Sequence, residues 1–164
     1  MKLYLVQHGE AKPREVDPDR HLTEEGIRDA SRIAAFLKPL KISVDAVWHS
    51  GKPRAAETAD ILAQPLNVKR RVKERKDLSP NDPVGPTAEK ILSAGKDLMI
   101  VGHLPFLTKL ASSLITGRED EEIIAFQYAG VVCLERAEGE SFAVRWMVTP
   151  ELLNAERGMR SADY

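Results

Sequence analysis

Leu3-Tyr4-Leu5-Val6-Gln7-His8-Gly9-Glu10-Ala11 decides how the rest of the chain is read, because a short apolar run there ends in a histidine followed by a glycine. A run of this length, bounded by polar residues, predicts a strand. It carries an imidazole to the strand's carboxyl end, where open α/β sheets bind their ligands, and Gly9 removes a side chain that would hold a ligand off the backbone. His8 is therefore a candidate site residue. Taken alone, a histidine after a strand is more often a half-exposed loop residue.

A second stretch repeats the arrangement. Asp97-Leu98-Met99-Ile100-Val101-Gly102 is nearly all apolar, as suits a central strand buried on both faces, and it ends at His103. Pro105 then opens a helix through Leu107, Leu110, Ala111 and Leu114. Helical segments alternate with strands elsewhere too. Thr23, followed by Glu24 and Glu25, is a helix start, and Ile27, Ala30, Ile33, Ala34 and Leu37 recur at helical spacing up to Pro39. Asp45 to Ser50 predicts a strand, after which Ser50 can cap a helix with Pro53 in its first turn. Arg54 then falls in that first turn, where its guanidinium and the free helix N–H groups can face one anion. Thr87 to Ala94 predicts a short helix. The alternation predicts an α/β fold, a central sheet with helices packed on it.

Val131 to Arg136 and Phe142 to Val148, joined by a short polar connection, predict an antiparallel hairpin. Lys12 to Arg20, punctuated by Pro13, Asp17 and Pro18, predicts a loop, and Arg157 to Tyr164 an unpatterned tail.

The 164 residues suit one domain, since two halves would each be too small to bury a core. Hydrophobic residues at 43% and charged residues at 30% fit a soluble globular chain, and no segment is long and apolar enough for a membrane span or a signal-peptide core. The cytoplasm is the expected location. A net charge of −1 supplies no global field for nucleic acid. Locally, Lys69, Arg70, Arg71, Lys73, Arg75 and Lys76 form a basic run, followed by Pro80, Pro83 and Pro86. No aromatic residue interleaves these charges, so an edge strand and loop with a solvated face, or a rim for substrate approach, is the better reading than a nucleic-acid patch. The one cysteine, Cys133, sits in an apolar run and reads as a buried small residue.

Four segments, in order, resemble the histidine phosphatase superfamily, and within it the small phosphohistidine phosphatases of the SixA type. They are His8-Gly9-Glu10-Ala11, Leu22-Thr23-Glu24-Glu25-Gly26, Ser50-Gly51-Lys52-Pro53-Arg54-Ala55-Ala56-Glu57-Thr58-Ala59 and Val101-Gly102-His103-Leu104-Pro105. The resemblance implies a three-layer αβα sandwich with a mostly parallel central sheet, phosphoglycerate mutase-like, over a single domain of residues 1–164. It also implies a phosphatase without metal or other cofactor. One position departs from the family: its opening motif is Arg-His-Gly, and here Gln7 stands first.

The residue types agree with phosphoryl transfer. Guanidinium donors match phosphoryl oxygens in pairs and neutralise charge as it spreads. A neutral His8, with one ring nitrogen held as a donor, can attack phosphorus with the other. By the resemblance, His103 is the second imidazole, Arg54 and Arg20 are pocket arginines, and Gln7, Gly9 and Gly102 line the substrate. A metal reading is poor: His8, His21, His49 and His103 form no close ligand pair, and no acidic cluster is evident beside them.

Ester-cleaving members of the superfamily use a carboxyl to protonate the leaving alkoxide. Glu74, Asp77 and Asp82 lie in the corresponding region without a motif. A protonated phosphoimidazole leaves as neutral imidazole and has little need of such an acid. The reading that follows is a phosphohistidine phosphatase acting through phospho-His8. Its partner would be a phosphohistidine-bearing protein such as a histidine phosphotransfer domain, with no nucleic acid and no membrane. Two alternatives stand beside it: a phosphomonoesterase on a small phosphorylated metabolite, and a weakly catalytic phosphate- or phosphohistidine-binding module, which Gln7 motivates.

Overall fold

The strand that ends at His103 lies at the middle of the sheet. In a computed structural model describing residues 1–139 and 141–155, β4 (Leu98–Gly102) is buried at every position and flanked by parallel partners, β1 (Lys2–Gln7) and β2 (Ser43–His49). Every β4 side chain therefore meets helix, and the apolar run in the sequence is explained. The order is β3-β2-β4-β1-β5-β6, with β3 (Asn67–Glu74) parallel to β2. Only β5 (Val131–Arg136) runs the other way, antiparallel to β1 and to β6 (Phe142–Val148).

Alternate residues of the central strands feed two cores. Leu3, Leu5, Leu98 and Ile100 pack on one face with residues of α3 (Gly85–Ala94) and α4 (Phe106–Thr116). Tyr4, Val6, Met99 and Val101 pack on the other with residues of α1 (Glu24–Leu37) and α2 (Pro53–Ala63). These are the three layers the resemblance implied. Burying a side chain such as Ile100, fully covered here, contributes roughly 1.5–3 kcal/mol. Cys133 is buried as well, and burial raises its thiol pKa.

Two local readings change. Thr23 does cap α1, its Oγ1 accepting from the Gly26 N–H at 2.9 Å, but the buried stripe is Gly26, Ala30, Ile33 and Leu37, and Ile27 is exposed. Gly26 sets this phase: a Cβ there would collide with the Glu10 backbone, so the helix start lies directly on the loop after β1. Second, Ser50 does not cap α2. Its N-cap is Lys52, without a side-chain cap, and the Ser50 hydroxyl is engaged elsewhere. Residues 150–155 are helical; the expected tail at Arg157 to Tyr164 lies outside the described residues. No helix of the described residues is long and apolar enough to cross a membrane.

Candidate active site

Parallel register brings the two histidines together. Gln7 pairs with Gly102, so the next residue of each strand, His8 and His103, leaves the sheet at the same level. The His8 N–H donates to the Gly102 carbonyl at 3.0 Å, and the two rings lie 5.0 Å apart between centroids. Both side chains are buried, His8 at 7% and His103 at 2% exposure.

His8 is held by its own neighbour. Its Nδ1 lies 2.6 Å from the Gly9 carbonyl oxygen, which can only accept, so Nδ1 carries the hydrogen and Nε2 keeps its lone pair. Burial pushes the His8 pKa down to about 4; the Gly9 bond opposes the shift, while Arg54 and Arg20 add to it. His103 is pushed down to about 3, first by burial and then by His8 and Arg54. Both imidazoles are therefore neutral at pH 7.

Gly9 does a different job from the one expected. A Cβ on it would meet the Gly26 carbonyl at 3.1 Å and Leu22 Cδ2 at 3.2 Å, so the missing side chain serves packing of the loop against α1. Its carbonyl holds His8, and its N–H donates to Thr58 Oγ1 at 2.9 Å. Thr58 in turn donates to the Arg54 carbonyl at 2.7 Å, tying the first turn of α2 to the loop that carries His8. Gly102 contributes its carbonyl, and a Cβ there would make only ordinary contact with Leu107.

Cations gather around the two histidines. Arg54 and Arg20 lie near enough to lower the pKa of both imidazoles, and Arg54's own pKa is lowered by burial, then by Arg20 and Arg14. A guanidinium pressed by other cations is poised for an anion. Arg20 adopts φ 55°, in the left-handed region, with its Nε donating to the Lys12 carbonyl at 3.1 Å. Backbone there costs a non-glycine residue about 1 kcal/mol or more, a cost that clusters at functional sites.

Three buried polar atoms have no hydrogen-bond partner among the described residues: Arg54 Nε, His103 Nδ1 and Gln7 Oε1. Buried polar groups are nearly always paired, so orphans at one strand-end cluster point to a ligand that would complete them. A guanidinium N–H and an imidazole N–H suit phosphoryl oxygens. Gln7 is different, because an amide oxygen accepts. It borders a groove of ≈ 620 Å³ shared with Leu104, Phe126 and Tyr128.

Sequence reasoning missed three residues. Ser50 Oγ lies 2.6 Å from His103 Nε2, and a hydroxyl donating there leaves the ring proton on Nδ1, the orphan atom. Thr58 was visible within the Ser50–Ala59 motif, but its partners are 49 and 4 residues away and only the fold shows the first. The Tyr128 ring lies tilted against the His8 ring, 5.7 Å between centroids, beside Ala129, which has φ 59° and whose N–H donates to the Gln7 carbonyl at 2.9 Å. No local signal marked it.

The remaining candidates lie elsewhere. Asp77 is bound by Arg75 and Lys90, which hold its carboxyl well below the usual range; Asp82 accepts from the Ser79 N–H, and the Glu74 side chain lies against Gly51. None of the three is hydrogen-bonded to His8 or His103. Among the described residues there is one acidic cluster that the sequence did not suggest: ligand atoms of Asp17, Asp19 and His21 lie within 4.8 Å of one another. It is occupied by an internal pair, His21 Nδ1 to Asp17 Oδ2 at 2.8 Å.

Known proteins share this fold. A family model described as the histidine phosphatase superfamily (branch 1) matches residues 3–79. Phosphohistidine phosphatase SixA of Escherichia coli (strain K12) is 23% identical over 155 residues, 92% of this chain and 94% of that protein. A solved structure of the protein histidine phosphatase SixA complexed with tungstate superposes with a TM-score of 0.81 at 23% identity, covering 93% of this chain and 99% of that one. A phosphoserine phosphatase from Entamoeba histolytica, solved in complex with phosphoserine, superposes at 0.65 with 18% identity, covering 93% and 98%. By this match over residues 3–79 and by the shared fold, the chain is similar to the histidine phosphatase superfamily, and within it to SixA.

Proposed function

We propose that this chain is a phosphohistidine phosphatase that acts on a phosphorylated histidine of a partner protein, through a covalent phospho-His8 intermediate. The observation that carries the reading is the Nδ1 to Gly9 carbonyl bond, which leaves a neutral Nε2 beside two orphaned donors. Nε2 attacks phosphorus; its new P–N bond forms as the substrate's P–N bond breaks. A substrate ring protonated at its other nitrogen departs as neutral imidazole. Water then attacks the phospho-His8, its oxygen joining phosphorus and its proton passing to the phosphate as the imidazole leaves. Arg54, Arg20 and His103 Nδ1–H stabilise charge on the transferring group, a task for which fixed donors are well suited. The reaction as written asks for no metal. The full chain would act as one domain, in the cytoplasm.

Two features favour an N–P substrate over an ester. None of the candidate acids Glu74, Asp77 and Asp82 is bonded to the imidazoles, and Gln7 supplies an acceptor, not a cation, beside the groove. A leaving imidazole carries an N–H that such an acceptor can receive. The test is incubation with a histidine phosphotransfer domain phosphorylated on histidine, together with a phosphoserine peptide and a sugar phosphate. Release of phosphate from the first, with an acid-labile and alkali-stable adduct on His8, is the expected result. Faster hydrolysis of the esters would replace this reading with that of a phosphomonoesterase.

A further inference from the structure

The basic run on β3 forms one wall of a concave surface. Arg70, Arg71, Lys73, Arg75 and Lys96 border a groove of ≈ 330 Å³ between this edge strand and the end of α3, with Asp45 its one carboxylate. Arg70 and Lys96 share Asp45, at 3.3 and 3.8 Å, and Arg75 is committed to Asp77 and to the Trp48 ring, 4.3 Å from its centroid. Arg71 and Lys73 have no carboxylate at ion-pair distance among the described residues, and both are exposed. In a chain of net charge −1 this is a local surplus of cations.

We propose that this groove docks an acidic segment of the protein whose phosphohistidine is hydrolysed, an inference that rests on the function proposed above. Arg71 and Lys73 pair with Ala46 and Trp48 of β2 and so share one face of the sheet, two residues apart. Their separation, ~6.6 Å of strand rise, matches alternate side chains of an extended segment laid along the free edge of β3. Cations on an edge strand discourage pairing with a second copy of the same strand, but they attract an acidic one. Nucleic acid fits less well. The groove's one aromatic residue, Trp48, is 9% exposed and covered by Arg75, so no ring is free to stack on a base.

The groove also leads to the site. The carboxyl end of β3 pairs with His49, the Arg75 N–H donates to the His49 carbonyl at 2.8 Å, and Glu74 lies against Gly51, in the turn that presents Ser50 and Arg54. A partner held along β3 would thus have its next surface at the phosphate pocket.

The experiment compares wild type with Arg71→Glu/Lys73→Glu on two substrates, a phosphorylated acidic histidine phosphotransfer domain and free phosphohistidine. The expected result is a rise in KM of about 10-fold on the protein with kcat within about twofold, no change on free phosphohistidine, and a wild-type protein KM that climbs with salt from about 50 to about 300 mM. Equal kinetics of wild type and variant on the protein would overturn the docking site. If wild type hydrolyses no phosphohistidine protein, the function proposed above fails, and the groove is then judged by direct titration with a glutamate-rich peptide, followed by Trp48 fluorescence in a Trp146→Phe background. Saturable binding lost in the double variant supports the groove; binding retained in it, or tighter binding of a single-stranded oligonucleotide, overturns it.

Discussion

His8 with His103 and His21 with Asp17 are two pairings of similar residues in opposite surroundings. The first pair is buried at the carboxyl ends of central strands, among arginines, and both rings are held neutral. The second lies on the loop before α1, where a carboxylate 2.8 Å away raises the imidazole's pKa and brings that of Asp17 down to about 2. Residue type is the same; solvent and the sign of the neighbouring charge decide whether the ring can be a nucleophile or forms part of an ion pair.

The widest separation between the two should be in turnover. His8→Ala is expected to lose at least ~10³-fold in kcat on a phosphohistidine protein, the scale of removing a nucleophile, while His21→Ala stays within about twofold. Retained turnover in His8→Ala would end the covalent reading. Titration separates them next. By NMR, the His21 ring should titrate above 6.5 and the His8 and His103 rings should stay neutral down to about 4 and about 3.

The signs of their contributions to stability differ accordingly. Between about pH 6.5 and 4 the unfolded chain binds protons at His8 and His103 that the folded chain does not, so these residues make stability fall with acid, by up to roughly 2.5 kcal/mol per pH unit. His21, raised in the fold, contributes stability that is present below its unfolded pKa and lost as pH rises through the folded one. Thermal unfolding of wild type and of His21→Ala from pH 4.5 to 8 checks both slopes. A midpoint rising on acidification below pH 6 would contradict the neutral pair.

Smaller effects sharpen the boundary of the buried region. Arg54→Ala should cost ~10²-fold in kcat/KM, the scale of losing one oriented transition-state donor, and Lys52→Ala markedly less, because Lys52 lowers the His103 pKa less than Arg54 does and is not among the groups that shift His8. Equal losses would move the phosphate away from Arg54. Gln7→Arg restores the family's charge and should raise kcat/KM about 10-fold, or roughly 1.4 kcal/mol, provided the 9%-exposed site admits the larger group. A normally stable Gln7→Arg protein with unchanged or lower activity would instead assign the amide oxygen a role in holding the leaving group.

Periodicity and punctuation were enough to identify most elements. The β5 and β6 spans follow from the apolar runs themselves, and α1 from Thr23 and its acidic first turn, because these signals act within a few residues. The same signals misplaced Ile27 and Ser50. A helix's phase against its neighbours depends on close approach, here of Gly26 to Glu10, and a serine before a helix cannot announce that its hydroxyl serves a histidine 53 residues later.

The identities of His8, His103 and Arg54 as site candidates were determined by the sequence alone, since each stands at a strand or helix end that local pattern reveals. What only the tertiary structure decided is how they are joined. Parallel pairing of β1 with β4 sets the two rings 5.0 Å apart, the Gly9 carbonyl fixes which His8 nitrogen carries the proton, Ser50 engages His103 Nε2, and burial makes both rings neutral. Those properties come from distances between residues far apart in the chain and from the removal of water. Neither is encoded in any single window of residues, so His8 could be nominated as a nucleophile from its motif but its protonation state had to come from the fold.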